Sequence, residues 1–215
     1  MSLQTSNPNI KIFVFDTETT GFINKKENNL DKQPHIIQFA GIFGEIDENW
    51  EFKEQKKVDI LVNPKIPIPF GSSEIHHIYD IDVKNAPYIE DVIDEFLSYI
   101  NDADVIIGHN IEYDESMILL ELQRLNSTFR YKPKQVICTM KETINFCKLP
   151  KKISTSPGYK RPKLWELYKK LFEKYFIWAH DAMVDVEATL ECFIESYKRD
   201  IIKIQQKNEN VMSLF

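Results

Sequence analysis

The sequence predicts an α/β fold, a mixed sheet with helices packed against it. Short apolar runs at residues 10–15, 35–46 and 50–62 come first and read as strands. Further short apolar runs then alternate with segments of helical periodicity. Hydrophobic residues make up 43% of the 215 residues, enough for the sizeable core that such layers need.

Each element follows in order. Ile10 to Phe15 forms a buried strand that ends at Asp16. Residues 22–34 are polar and are expected to be a mobile loop. Residues 35–46 and 50–62 are two strands joined by a turn at Asp47, Glu48 and Asn49. Pro64 to Pro69 is extended, and a short helix follows at about 73–79. The next helix spans 88–100, with Ile89, Val92, Ile93, Phe96 and Ile100 on one stripe. Residues 104–108 are a short buried strand, followed by a helix over about 111–125 with Asn110 as its N-cap. A strand at 135–139, an irregular basic stretch at 148–163, a helix from Leu164 to Tyr175 and a long helix over 182–202 complete the chain. Residues 10–203 are thus one domain. Residues 1–9 are set aside as disordered or added to the native sequence, and 204–215 form a tail.

The net charge is −6. That disfavours a general nucleic-acid binding module, which needs a basic surface. It leaves room for an enzyme that grips a few nucleotides through bound cations. No apolar run approaches the roughly 18–20 residues of a membrane span, so no membrane partner is expected. Cys138, Cys147 and Cys192 form no CxxC pair, which points to a reduced, cytoplasmic compartment.

Four carboxylates sit where acids do not belong. Asp114 shares a helical stripe with Ile111, Ile118, Leu122 and Leu125. Asp185 aligns with Ala182, Thr189 and Cys192. Asp16 and Glu18 leave a buried strand on the same side, because side chains alternate. Taken singly, an Asp at a helix start has an ordinary reading as a cap or a first-turn charge, and Asp-x-Glu alone is common. Together they are four acids at the edge of one core, where mutual repulsion opposes ionisation. Hard divalent cations such as Mg²⁺ or Mn²⁺ relieve that repulsion. A pair of such ions stabilises both the attacking and the leaving oxygen of a phosphodiester displacement.

The three segments read Phe15-Asp16-Thr17-Glu18-Thr19-Thr20-Gly21, His109-Asn110-Ile111-Glu112-Tyr113-Asp114 and His180-Asp181-Ala182-Met183-Val184-Asp185. Their order and spacing resemble the three motifs of the DEDDh 3′→5′ exonuclease family, most closely the DnaQ-like proofreading (epsilon) type of bacterial DNA polymerase III. Pro34 to Gln38 and Ile75 to Ile78 match further segments, and the likeness spans about residues 10–200. The resemblance implies a ribonuclease H-like mixed sheet of five strands with flanking helices. It implies two divalent cations, Mg²⁺ or Mn²⁺, held by Asp16, Glu18, Asp114 and Asp185, with His180 as general base. His180 and Asp185 satisfy the His-x4-Asp form of the third motif. The implied substrate is a single-stranded or frayed DNA 3′ end, and the implied role is proofreading in DNA replication, or repair, beside a polymerase catalytic subunit.

Substrate contacts are assigned more loosely. Backbone at Thr17 and Thr19 meets the 3′ end by resemblance, with Asn110 nearby. Ile75 and His76 either line the terminal-nucleotide pocket or belong to a helix packed on the sheet. Phe22 and Tyr113 either stack on the terminal base or join the core. Lys151, Lys152, Lys160, Arg161 and Lys163 lie in a stretch without acids, which either steers the strand or is a solvated loop. Met212, Leu214 and Phe215 end a polar tail and partly resemble sliding-clamp-binding peptides; the alternative is a tail that folds back or does nothing. Ribonuclease T and oligoribonuclease share the motif set, so RNA is an alternative substrate. An inactive scaffold that binds a polymerase or clamp is the alternative of another class.

Overall fold

The structure is a computed structural model that describes residues 9–128, 130–151, 157–175 and 181–205. Strands β1 (Ile10–Thr19), β2 (Ile36–Ile46), β3 (Phe52–Leu61), β4 (Val105–Gly108) and β5 (Val136–Cys138) form one sheet in the order β3-β2-β1-β4-β5. β1 runs antiparallel to β2 and parallel to β4. β2 pairs antiparallel with β3, and β4 parallel with β5. The mixed five-stranded, ribonuclease H-like α/β class is therefore borne out.

The helices are α1 (Phe70–His76), α2 (Asp80–Val83), α3 (Ile89–Asp102), α4 (Glu112–Arg124), α5 (Thr139–Glu142), α6 (Ile144–Cys147), α7 (Leu164–Phe172) and α8 (Ala182–Lys198). Of these, α2, α5 and α6 were not expected from the sequence. Each spans a single turn, too short to show a period. β1 also runs further than its apolar run suggests. Its pairing with β2 continues through Thr19, beyond a shift in register after Glu18, so the first acidic motif lies within the strand.

Alternation in β1 separates two cores. Phe13 and Phe15 pack on one face with Phe96 of α3 and Met117 and Ile118 of α4. Ile12 and Val14 pack on the other with Val186, Leu190 and Phe193 of α8. Burying each of these side chains stabilises the fold by about 1.5–3 kcal/mol. No described helix is long and apolar enough to cross a membrane.

The loop from 22 to 34 is pinned rather than mobile. The Gln33 amide donates to the carbonyls of Asn24 and Glu27 and accepts from the Asn24 N–H. Arg124 at the end of α4 donates to the carbonyls of Leu30, Gln33 and Pro34. It also pairs with Glu121 at 2.8 Å, and Glu121, 1% exposed, accepts the Ile36 N–H. This buried network fastens α4 to the β1–β2 connection. Polar composition alone does not reveal it, because the partners lie about 90 residues apart.

Removing one member of a buried ion pair leaves the other charge uncompensated. Arg124→Met is expected to lower unfolding stability by about 3 kcal/mol or more. Lys203→Ala, which breaks an exposed pair with Asp200, is expected to change nothing measurable. Urea denaturation of both variants checks the contrast.

Candidate active site

The site forms at the carboxyl end of the central strand, where open α/β sheets place their ligand clefts. Asp16 and Glu18 follow Ile12 and Val14 in alternation, so they emerge on the face that α8 covers. Thr17 points the other way, toward α4. Its backbone N–H and its hydroxyl both donate to Asp114 Oδ1, at 3.1 and 2.7 Å. Asp114 is only 3% exposed, on the buried stripe with Met117, Ile118 and Leu122. The donors expected to meet a substrate at Thr17 are thus committed to Asp114.

The approach of the second motif to β1 depends on Gly108. A Cβ there would lie 2.9 Å from the Ile111 Cβ and 3.3 Å from the Phe15 carbonyl. Asn110 does not cap α4 as expected. It adopts a left-handed conformation, φ 75°, and Ile111 precedes the helix without a side-chain cap. Asn tolerates that backbone better than most residues, so its role is in the turn.

Asp185 stands in the first turn of α8. That helix begins at Asp181, whose carboxylate accepts the N–H groups of Met183 and Val184 at 3.0 and 3.2 Å. A side-chain cap of this kind fixes the helix start and therefore the aim of Asp185. His180, Lys152, Met212, Leu214 and Phe215 lie outside the described residues.

The acids feel one another. Burial first, then Asp114, Glu18 and Asp185, pushes the Asp16 carboxyl far above the usual carboxylate range. Burial, Asp185, Asp114 and Asp181 push Glu18 up to about 8. Burial raises Asp114 to about 7, although the Thr17 hydrogen bonds oppose the rise. Three motifs therefore deliver their acids into one space. Such a set of oxygen donors, held against mutual repulsion, fits hard divalent cations. Among the described residues, no three His, Cys, Asp or Glu side chains form a ready-made metal cage. Thr17 holds one Asp114 oxygen. Mg²⁺ needs only one or two carboxylates, since water and substrate phosphate complete its shell.

Around the acids, Phe22 stands 85% exposed, its ring 6.3 Å from that of Tyr113 and steeply inclined to it. The Tyr113 hydroxyl donates to the Gly21 carbonyl at 2.6 Å and meets the Thr19 hydroxyl at 2.8 Å. Ile75 is exposed, whereas His76 is buried and its Nδ1 accepts the Ile78 N–H. The Ser72 hydroxyl donates to the Thr20 carbonyl and docks α1 on the motif-one turn. No local pattern announces Ser72, because its partner is 52 residues away. The basic stretch is partly spent on internal contacts. Lys160 pairs with Glu166, which also accepts the Lys163 N–H, and the Lys151 ammonium reaches the Pro157 carbonyl.

The raised carboxyls carry a sign. Well below pH 4 they are protonated in the folded and the unfolded chain alike. From there to about pH 8 the unfolded chain releases protons that the folded chain retains, so stability falls as pH rises. In chelator, unfolding free energy is expected to drop by on the order of a few kcal/mol between about pH 5 and pH 8 from this cluster. Millimolar Mn²⁺ is expected to restore it at the upper end. Urea titrations with and without the ion check both signs; a chelated protein that grows more stable over this window contradicts the account.

Known proteins share the sequence pattern and the fold of this chain. The exonuclease family model (RNase_T) matches residues 13–193. A PolC-type DNA polymerase III of Caldanaerobacter subterraneus subsp. tengcongensis is 30% identical over 189 residues, covering 86% of this chain and 11% of that protein. The DNA polymerase III epsilon subunit of Haemophilus influenzae is 25% identical over 94% of this chain and 77% of its own length. The chain spans only about a tenth of the PolC-type relatives it matches. Among solved structures, the nuclease domain of 3′hExo, a DEDDh family member bound to rAMP, superposes with a TM-score of 0.67 at 14% identity, covering 94% of this chain and 99% of that one. Exonuclease X in complex with 5′ overhanging duplex DNA gives 0.54 at 22% identity, covering 87% and 93%. The resemblance to DEDDh exonucleases is borne out, and the chain belongs to the exonuclease family that the RNase_T model describes.

Proposed function

We propose that this protein removes nucleoside 5′-monophosphates from the 3′ ends of DNA, in proofreading or repair in the cytoplasm. The single observation that carries the reading is the gathering of Asp16, Glu18, Asp114 and Asp185 in one space, from three segments in family order. DNA is favoured because a PolC-type DNA polymerase III and a DNA polymerase III epsilon subunit are among the relatives.

Two divalent cations, when bound, supply the positive charge and the activated water that phosphodiester hydrolysis needs. The chain's own residues hold and orient. Asp16 and Glu18 on β1 and Asp185 on α8 would hold the cations. Thr17 fixes one oxygen of Asp114 and leaves the other for the cations or their waters. His180, next to the helix-capping Asp181, takes the proton from the attacking water, a general-base task that an imidazole suits. Phe22 and Ile75, both exposed, bracket the terminal base. The tail at Met212, Leu214 and Phe215 serves as a clamp-binding peptide, and deleting it is expected to abolish clamp binding without loss of hydrolysis.

Timed digestion of 5′-labelled and 3′-labelled single strands tests the reading. With Mg²⁺ or Mn²⁺, a 3′ label is expected to leave at once as mononucleotide, while a 5′ label yields a shortening ladder. Chelator abolishes both. Asp16→Ala and His180→Ala are each expected to lose on the order of 10²–10⁴-fold in rate. Near-wild-type hydrolysis in Mn²⁺ by either variant removes the mechanism. A faster rate on RNA of the same sequence moves the substrate.

A further inference from the structure

Three segments remote in sequence meet at the first turn of α4, next to the acids. The chain after the first motif is tied there by the Tyr113 hydroxyl bond to Gly21, and Lys25 follows four residues on. The start of α5 is tied by the Thr139 hydroxyl, which lies 2.9 Å from His109 Nδ1 and 3.2 Å from the Gly108 carbonyl. Lys141 follows two residues later, and its ammonium contacts the Glu112 carboxylate. Residues 157–163 are tied by His109 Nε2, which donates to the Pro162 carbonyl at 3.1 Å, and Arg161 is the adjacent residue. Lys25 and Arg161 are exposed, and Lys141 is half-buried. The Lys141–Glu112 pair joins the start of α5 to the first turn of α4.

We propose that Lys25, Lys141 and Arg161 form a phosphate track for the nucleotides upstream of the scissile bond, with Glu112 as its internal stand-in. The proposal rests on the exonuclease reading and deepens it. Its cations come from three segments, and only Arg161 belongs to the basic stretch evident in the sequence. In a chain of net charge −6, gathering three mutually repelling cations beside four acids favours a polyanion that bridges the two zones. Glu112 lies one residue from Tyr113 and two from Asp114, so a strand whose last nucleotide reaches the acids carries its preceding phosphates over this turn. Glu112 holds Lys141 in the empty protein, and an incoming phosphate takes its place. The guanidinium of Arg161 suits bidentate contact with phosphate, whereas the lysines act as point charges.

The test compares two substrates. One is a short oligothymidylate. The other is the p-nitrophenyl ester of thymidine 5′-monophosphate, which has no upstream phosphate. The triple variant Lys25→Ala, Lys141→Ala, Arg161→Ala is expected to raise KM for the oligonucleotide roughly 10-fold or more. Its dependence of log KM on log salt is expected to flatten by about 2, the loss of three single-strand phosphate contacts. Ester hydrolysis stays at the wild-type rate. Glu112→Gln, which removes the competing carboxylate, is expected to lower KM for the oligonucleotide. Lys53→Ala with Lys56→Ala on the edge strand β3 is the control and changes neither.

An unchanged KM and salt slope in the triple variant overturns the track, as does an equal effect from the β3 control. Equal loss on both substrates transfers the decision to Glu112→Gln, where an unchanged or raised KM is fatal. If the wild-type protein hydrolyses neither substrate, the exonuclease reading fails. Fluorescence anisotropy of the labelled oligonucleotide then decides the track by the same comparison of variants.

Discussion

The pairing of Thr17 with Asp114 is the contact on which the site depends. One side chain belongs to the central strand and the other to a helix that starts almost 100 residues later. Both Thr17 donors converge on a single carboxylate oxygen, a charge-assisted arrangement stronger than a neutral hydrogen bond. It gives a buried acid partners, which an apolar stripe otherwise denies it. It also sets the spacing between the first and second motifs. Alternation along β1 then does the rest: with Thr17 turned to α4, Asp16 and Glu18 turn to α8 and meet Asp185.

That arrangement carries a stability cost, since acids crowd at the end of the sheet where the strand must remain rigid. The fold offsets the cost outside the cluster. Gln33 and Arg124 lock the connection that leaves the first motif, and Glu121 joins that lock to α4. Ser72 holds α1 against the same turn. Gly108 lets the second motif approach closer than any side chain permits. Strain concentrated at a functional site persists only where its surroundings over-determine the geometry. Here those surroundings include hydrogen bonds to backbone carbonyls from Gln33, Arg124 and Ser72, which engage none of the four acids.

Much of this was legible in the sequence, for a physical reason. Strand and helix periods report which face is buried, so the sheet, the long helices and the misplaced Asp114 could be read directly. The side on which Asp16 and Glu18 emerge followed from the period of two. What escaped has a common cause. The anchoring of Thr17, the docking of Ser72 and the clamp of Arg124 all join residues more than 50 positions apart, and no local pattern encodes them. Asn110 was read as a cap from its identity alone; the same residue type also suits a left-handed turn, and that is the conformation it adopts before α4. The polar loop at 22–34 was read as mobile because composition reports hydration and not partners.

The basic stretch illustrates a related limit. A run of cations in sequence invites the reading that all of them serve one purpose. In the fold Lys160 turns to Glu166, and the Lys151 ammonium reaches a carbonyl within its own loop. Arg161 instead stands beside Pro162, whose carbonyl His109 holds at the start of the second acidic motif. Charge that acts on a ligand is defined by convergence in space, because attraction falls with distance and is screened within about 10 Å. A protein of net negative charge can therefore attract a polyanion through a small patch, provided the patch adjoins the acids whose own charge bound cations reverse.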